Sequence, residues 1–103
     1  MTTSVFLNND RTMPLLGLGL YKATADDEAE NAIAAAVKNG YRLIDTASAY
    51  KNEENVGRGI ARCGIPRKDL FITTKIWNNA QRLGDVEGAF NRSLDRLGLD
   101  YID

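Results

Sequence analysis

Three side chains that could act together in proton transfer lie just beyond two apolar segments of the sequence. Asp45 and Tyr50 follow the first segment, and Lys75 lies at the end of the second. An isolated phenol titrates near ~10, and a neighbouring cation stabilises the phenolate. A tyrosine beside a lysine that a carboxylate holds in place is therefore suited to donate a proton. Reduction of a carbonyl by hydride transfer needs such a donor, because negative charge develops on the carbonyl oxygen.

Alternating strands and helices are expected to position these side chains. Apolar residues recur at helical spacing in three segments, each followed by a glycine: 26–39, 52–63 and a third between 82 and 97. Apolar, strand-like runs occupy 15–20, 41–45 and 70–76, and another begins near 101, while a hairpin is predicted over 5–14. This alternation indicates βαβ units around a parallel sheet, so the predicted fold class is α/β.

The predicted sheet would bring the three side chains together at one edge. Functional groups collect at the carboxyl ends of parallel strands, and neighbouring strands are about 4.8 Å apart. Asp45 and Lys75 could therefore meet across adjacent strands, with Tyr50 folded back over them. A structural interpretation fits the same spacing, with an Asp–Lys ion pair tying two strands beside a packed aromatic ring. Spacing alone leaves both interpretations open.

Composition excludes several classes of function. The 103 residues suit one small domain, and a net charge of −1 gives no basic surface for nucleic acid. A single cysteine, Cys63, and the absence of histidine argue against zinc and iron sites. No apolar segment approaches the roughly 20 residues that cross a bilayer, and the first residues do not resemble a secretion signal. We therefore expect no membrane partner and a cytoplasmic location.

Five segments, in order, resemble the N-terminal part of the aldo-keto reductase family. They are MPLLGLG (13–19), GYRLIDTA (40–47), YKNEENVG (50–57), DLFITTKIW (69–77) and SLDRLGLDYID (93–103). The resemblance covers nearly the whole chain and is strongest to the bacterial branch of diketo-gluconate and glyoxal reductases. It implies a (β/α)8 TIM barrel. Residues 1–103 would form part of that barrel domain, namely a hairpin, about three βα units and the start of the fourth strand.

The resemblance also implies an activity and a role for each of the three side chains. Members of the family reduce aldehydes and ketones to alcohols with NADPH, so the partner would be a small carbonyl compound. Tyr50 would be the proton donor, and Lys75 the cation that promotes proton release. Asp45 would hold Lys75 and also lie near the nicotinamide ribose.

Further contacts follow from the same resemblance. The backbone of Leu20 would lie by the cofactor, and Tyr21 and Trp77 would line the substrate pocket. The remaining catalytic residue of the family, a histidine, and most cofactor-binding segments would follow Asp103. The chain by itself is therefore expected to be inactive, with exposed strand edges that favour self-association. The alternatives to a reductase are an inactive fragment and a non-catalytic binding module derived from the barrel.

Overall fold

The computed structural model describes residues 3–103, in which an opening hairpin is followed by alternating strands and helices. The strands are β1 (Ser4–Phe6), β2 (Thr12–Pro14), β3 (Gly17–Gly19), β4 (Leu43–Asp45) and β5 (Phe71–Thr73). The helices are α1 (Glu28–Lys38), α2 (Glu53–Arg62), α3 (Asn78–Arg82) and α4 (Val86–Leu97), with 3-10 turns at Ser48–Tyr50 and Arg67–Asp69. Among these elements, no helix has the length and apolar character that a membrane span requires.

The strands form a hairpin and a separate parallel sheet, as predicted. β1 pairs with β2 antiparallel, and β3, β4 and β5 lie side by side in chain order and run parallel. Leu18 pairs with Ile44, which pairs in turn with Ile72. Each strand spans only three residues, fewer than the apolar runs suggested. The runs extend beyond the strands because their ends serve as connections to the helices.

The hydrophobic core lies between the parallel sheet and the helices. Ile44 and Ile72 are fully buried at the centre of the sheet. The helices contribute buried side chains at the spacing of one face, namely Ala29, Ile33 and Val37 of α1, Val56 and Ile60 of α2, and Leu97 of α4. Burial of one such aliphatic side chain contributes about 1.5–3 kcal/mol. Because residues alternate across a strand, Asp45 and Thr73, which follow Ile44 and Ile72, face away from the helices.

The structure differs from the prediction in the last third of the chain. The helix predicted between 82 and 97 is confirmed as α4, but a short additional helix, α3, precedes it, and Gly84 between the two has φ +70°. A fourth strand was predicted to begin near Tyr101, and residues 101–103 are not in a strand. The backbone N–H of Asp103 nevertheless donates to Ile72 O at 3.0 Å. This segment therefore lies alongside β5, where the next parallel strand of the sheet would pair.

Candidate active site

The ends of β4 and β5 direct polar side chains onto the open face of the sheet. Asp45 is the last residue of β4 and pairs in register with Thr73, the last residue of β5. Both follow buried isoleucines that face the helices, so both side chains point to the opposite side. Lys75 comes two residues after Thr73 and returns to the same side. The alternation of the two strands thus brings these three polar groups to one edge.

Lys75 is the centre of the resulting hydrogen-bond cluster. Its Nζ donates to both carboxylate oxygens of Asp45, at 2.9 and 2.8 Å, and to Tyr50 Oη at 3.2 Å. It also donates to the backbone oxygen of Thr46 at 3.1 Å. Thr73 Oγ1 donates to Asp45 Oδ1 at 2.6 Å. Because Tyr50 Oη accepts from the ammonium, its own proton is left to be donated to another group.

The turn Ser48–Tyr50 brings Tyr50 back over the strand ends. Both the backbone N–H and the hydroxyl of Ser48 donate to Lys75 O, at 3.2 and 3.0 Å. Lys51 adopts a left-handed conformation, with φ +62° and ψ 28°, and so ends the turn before α2 begins. The loop after β4 is therefore attached to the end of β5, and Tyr50 is held near Lys75 by backbone contacts as well as by the ammonium.

The surroundings of Lys75 keep it positively charged. Partial burial acts to lower its pKa, but hydrogen bonds and charge interactions with Asp45 and Tyr50 outweigh this and raise the pKa above its ordinary value of 10.5. The side chains of Lys75 and Asp45 remain 50% and 37% exposed. Ion pairs this exposed contribute only about 0–1 kcal/mol to stability. The Lys75–Asp45 pair by itself therefore contributes little to the stability of the sheet.

Tyr21 and Trp77, the two aromatic residues expected to line the substrate pocket, occupy different positions relative to the cluster. Tyr21 is largely exposed, and its ring centroid lies 5.2 Å from that of Tyr50 with the planes 55° apart. Trp77 is half exposed, directly precedes α3 and lines a neighbouring groove together with Ser48 and Lys51. The structure thus places Tyr21 against the cluster, and it places Trp77 on the adjacent rim.

Leu20, expected beside the cofactor, is buried at the end of β3. Its backbone N–H donates to Asp45 O at 3.0 Å, and its carbonyl accepts from Asn52 Nδ2 at 2.8 Å. Gly19, the residue before it, pairs in register with Asp45. A Cβ built on Gly19 would meet no atom within 4 Å. The sheet therefore leaves open space directly beside the Asp45 carboxylate.

Sequence reasoning missed two residues of the cluster. Thr73 holds Asp45, and its position two residues before Lys75 on a predicted strand was a signal that both share one face. Thr46 supplies a backbone oxygen to Lys75, and the residue type gives no signal for a main-chain contact.

Parallel βα units with an Asp–Tyr–Lys cluster at their carboxyl ends are typical of a barrel-type α/β enzyme domain. The sequence profile of the Aldo/keto reductase family matches residues 15–103, and this chain belongs to that family. The resemblance seen in the sequence motifs is thereby confirmed.

Known relatives agree in sequence and in structure. Glyoxal reductase of Bacillus subtilis is 51% identical over 100 residues, which are 97% of this chain and 36% of that protein. An aldo-keto reductase from a Medee basin deep-sea metagenome library superposes with a TM-score of 0.90 at 52% identity, over 97% of this chain and 36% of the other. A Bombyx mori aldo-keto reductase, solved in complex with NADP, gives a TM-score of 0.90 at 43% identity, covering 98% and 36%.

These matches confirm the predicted α/β barrel fold and the likeness to glyoxal reductase. They also show that the chain spans about 36% of the length of the relatives it matches.

Proposed function

We propose that this chain carries the proton-donating side of an NADPH-dependent reductase that converts aldehydes or ketones to alcohols. The observation that supports this most directly is the contact of one ammonium, Lys75 Nζ, with both Tyr50 Oη and the Asp45 carboxylate. These groups lie on the open face of the sheet, where a substrate can approach. Family membership supports an oxidoreductase that acts on carbonyl compounds.

In the proposed reaction, NADPH supplies a hydride to the carbonyl carbon when it is bound. Tyr50 donates its hydroxyl proton to the carbonyl oxygen, where negative charge develops. The Lys75 ammonium then stabilises the phenolate that remains on Tyr50. Asp45, which accepts two hydrogen bonds from that ammonium, orients it and partly balances its charge.

The chain also offers a fitting edge for a nicotinamide cofactor. The space above Gly19 admits a flat group beside Asp45, whose carboxylate can accept hydrogen bonds from ribose hydroxyls. The backbone N–H of Leu20 is already hydrogen-bonded to Asp45 O. Leu20 would therefore make van der Waals contact with the cofactor and donate no hydrogen bond to it from its N–H. The Bombyx mori relative was solved with NADP, which is consistent with this choice of cofactor.

Aromatic side chains would define the entrance for the carbonyl compound. Tyr21 stacks at a tilt against Tyr50 and is exposed, so it would cover one side of a small substrate. Trp77 would contribute from the neighbouring rim. Both rings present apolar surface next to the polar cluster, an arrangement suited to small carbonyl compounds.

A chimera provides the test, because the chain corresponds to about 36% of the relatives' length. Residues 1–103 would replace the matching segment of the Bacillus subtilis glyoxal reductase, and NADPH consumption with glyoxal would be measured. Tyr50→Phe should reduce kcat by about 10²–10⁴-fold, the usual contribution of a proton donor. Tyr41→Phe, which removes a hydroxyl outside the cluster, should stay within about twofold of the chimera.

Two outcomes would overturn the proposal. One is a Tyr50→Phe variant that is as active as the Tyr41→Phe control. The other is a chimera that folds and binds NADPH, as judged by fluorescence, but reduces no aldehyde. The second result would support a non-catalytic binding module instead.

A further inference from the structure

The start of α2 carries two buried polar side chains for which the proposed reaction has no direct use. Asn52 is 1% exposed and Glu53 is 2% exposed. Buried polar and charged groups are costly unless they are hydrogen-bonded, so their partners indicate why they are there. Both side chains reach toward the strand ends that carry the Asp45–Tyr50–Lys75 cluster.

Asn52 connects two strand ends on the β4 side of the cluster. Its Oδ1 accepts from Thr46 Oγ1 at 2.7 Å, and its Nδ2 donates to Leu20 O at 2.8 Å. The backbone oxygen of the same Thr46 accepts from Lys75 Nζ at 3.1 Å. Asn52 also follows Tyr50 by two residues. Its amide group therefore fixes both ends of the loop from Thr46 to Asn52, within which Tyr50 lies.

Glu53 acts on the other side, at the end of β5. Its Oε2 accepts from Thr74 Oγ1 at 2.7 Å. Its Oε1 accepts from two groups of α4, Arg96 Nε at 2.8 Å and Ser93 Oγ at 3.2 Å. The carboxylate is thus held firmly between α4 and the strand end, with a counter-charge and hydroxyl donors to satisfy it.

The contact with Thr74 has a consequence for its neighbour. Successive side chains of an extended segment point to opposite sides, and a rotation of one residue would reverse both. Glu53 holds Thr74 on the helix side, so Lys75 is directed to the open side, toward Asp45. Asn52 and Glu53 are consecutive, and one helix start therefore controls both halves of the cluster.

We propose that Asn52 and Glu53 are positioning residues, Asn52 for the loop that carries Tyr50 and Glu53 for the strand end that carries Lys75. The inference rests on the proposed function of that cluster. Neither side chain contacts the reacting atoms, and each acts through a threonine hydroxyl, Thr46 for Asn52 and Thr74 for Glu53.

The threonines allow a test with matched variants in the full chain. Thr46→Val and Thr74→Val keep the side-chain shape and remove the hydroxyl, whereas Thr46→Ser and Thr74→Ser keep the hydroxyl. Asn55→Ala is the control. Asn55 lies on α2, like Glu53, but its Nδ2 donates to Asp26 O at 2.8 Å, outside the cluster. For each variant, NMR follows the titration of the Lys75 ammonium, and urea unfolding reports global stability.

The expected result is specific to the cluster. Both valine variants should lower the titration midpoint of Lys75 by a measurable amount of up to roughly half a pH unit, because its bonds to Asp45 and Tyr50 loosen without being removed. Both serine variants should restore the midpoint. Asn55→Ala should leave the midpoint unchanged even if it lowers the free energy of unfolding. Valine variants that titrate like the original chain would overturn the inference, as would serine variants that fail to restore the midpoint.

This readout requires no turnover and is therefore independent of the chimera assay. A chimera that reduces no aldehyde while the valine variants shift Lys75 would refute the proposed reaction and retain the positioning roles. An active chimera, together with valine variants that leave the Lys75 titration unchanged, would support the proposed reaction and refute the positioning roles.

Discussion

Replacement of Asp45 by asparagine would remove the charge that offsets the burial of Lys75 and change little else. Asparagine has nearly the same shape as aspartate and can still accept a hydrogen bond from Thr73 Oγ1. Lys75 would lose a carboxylate that now accepts two hydrogen bonds from its ammonium, at 2.9 and 2.8 Å. Burial, the strongest single influence on Lys75, would then act with much less opposition. The pKa of Lys75 should fall from above 10.5 to below it.

The magnitude follows from the exposure of the pair. A hydrogen bond between charged groups is worth about 1.5–3 kcal/mol when protected from water. Half-exposed side chains reduce this to about 0.5–1 kcal/mol, because solvent screens the pair. One pH unit corresponds to about 1.36 kcal/mol, so the titration midpoint of Lys75 should fall by roughly half a pH unit. The free energy of unfolding at pH 7 should fall by no more than about 1 kcal/mol.

The raised pKa also fixes the pH range of this contribution. The folded chain holds the Lys75 proton more tightly than the unfolded chain, so the contribution to stability is fully present below pH 10.5. It is lost as the pH rises through the higher pKa of the folded state. The unfolding free energies of the original chain and of Asp45→Asn in urea should therefore differ at pH 7 and converge as the pH rises through the folded-state pKa of Lys75, above 10.5.

A matched control separates the site from general surface charge. Asp85 forms an ion pair with Arg92 at 2.9 Å, and both side chains are about half exposed. Asp85→Asn should leave the Lys75 titration unchanged. If Asp45→Asn leaves the Lys75 midpoint at or above its original value, Asp45 is not what holds the ammonium charged, and the reasoning fails. In the chimera, the same variant should lower kcat while glyoxal reduction by Asp85→Asn stays normal.

Three further substitutions give separate tests. Gly19→Val should change the unfolding free energy by no more than about 0.5 kcal/mol, because the added side chain meets open space. In the chimera it should weaken NADPH binding, measured by fluorescence, at least tenfold. Unchanged binding would contradict the proposed cofactor placement. Gly57→Ala should destabilise the chain by about 1–3 kcal/mol in urea, because its Cβ would meet the backbone carbonyl of Leu97; full stability would contradict that close approach. Glu53→Ala should cost about 1.5–3 kcal/mol, since the hydrogen bonds of a buried carboxylate are lost while Arg96, 35% exposed, can be hydrated; a loss below about 0.5 kcal/mol would show that these bonds matter little.

Much of the fold was predictable because its signals are local. The spacing of Ile33 and Val37 marks one face of a helix, and the apolar runs around Ile44 and Ile72 mark buried strands. In the last third of the chain the apolar spacing predicted α4, whereas α3 has only five residues and no buried side chain, so it has no periodic pattern to reveal it. Sequence spacing could bring Asp45, Tyr50 and Lys75 near one edge, but it left open the interpretation of a structural ion pair.

What the sequence by itself determined is the order of the elements, the family and the identity of the three polar side chains at the strand ends. What only the tertiary structure decided is which groups hold them. Asn52 is hydrogen-bonded to Leu20, 32 residues away along the chain, and Glu53 is hydrogen-bonded to Arg96, 43 residues away. Such partners depend on strand register and on helix docking, whereas residue type and spacing report only on neighbours within a few turns. The exposure of Lys75 and the open space beside Gly19 likewise exist only once the sheet has packed against its helices.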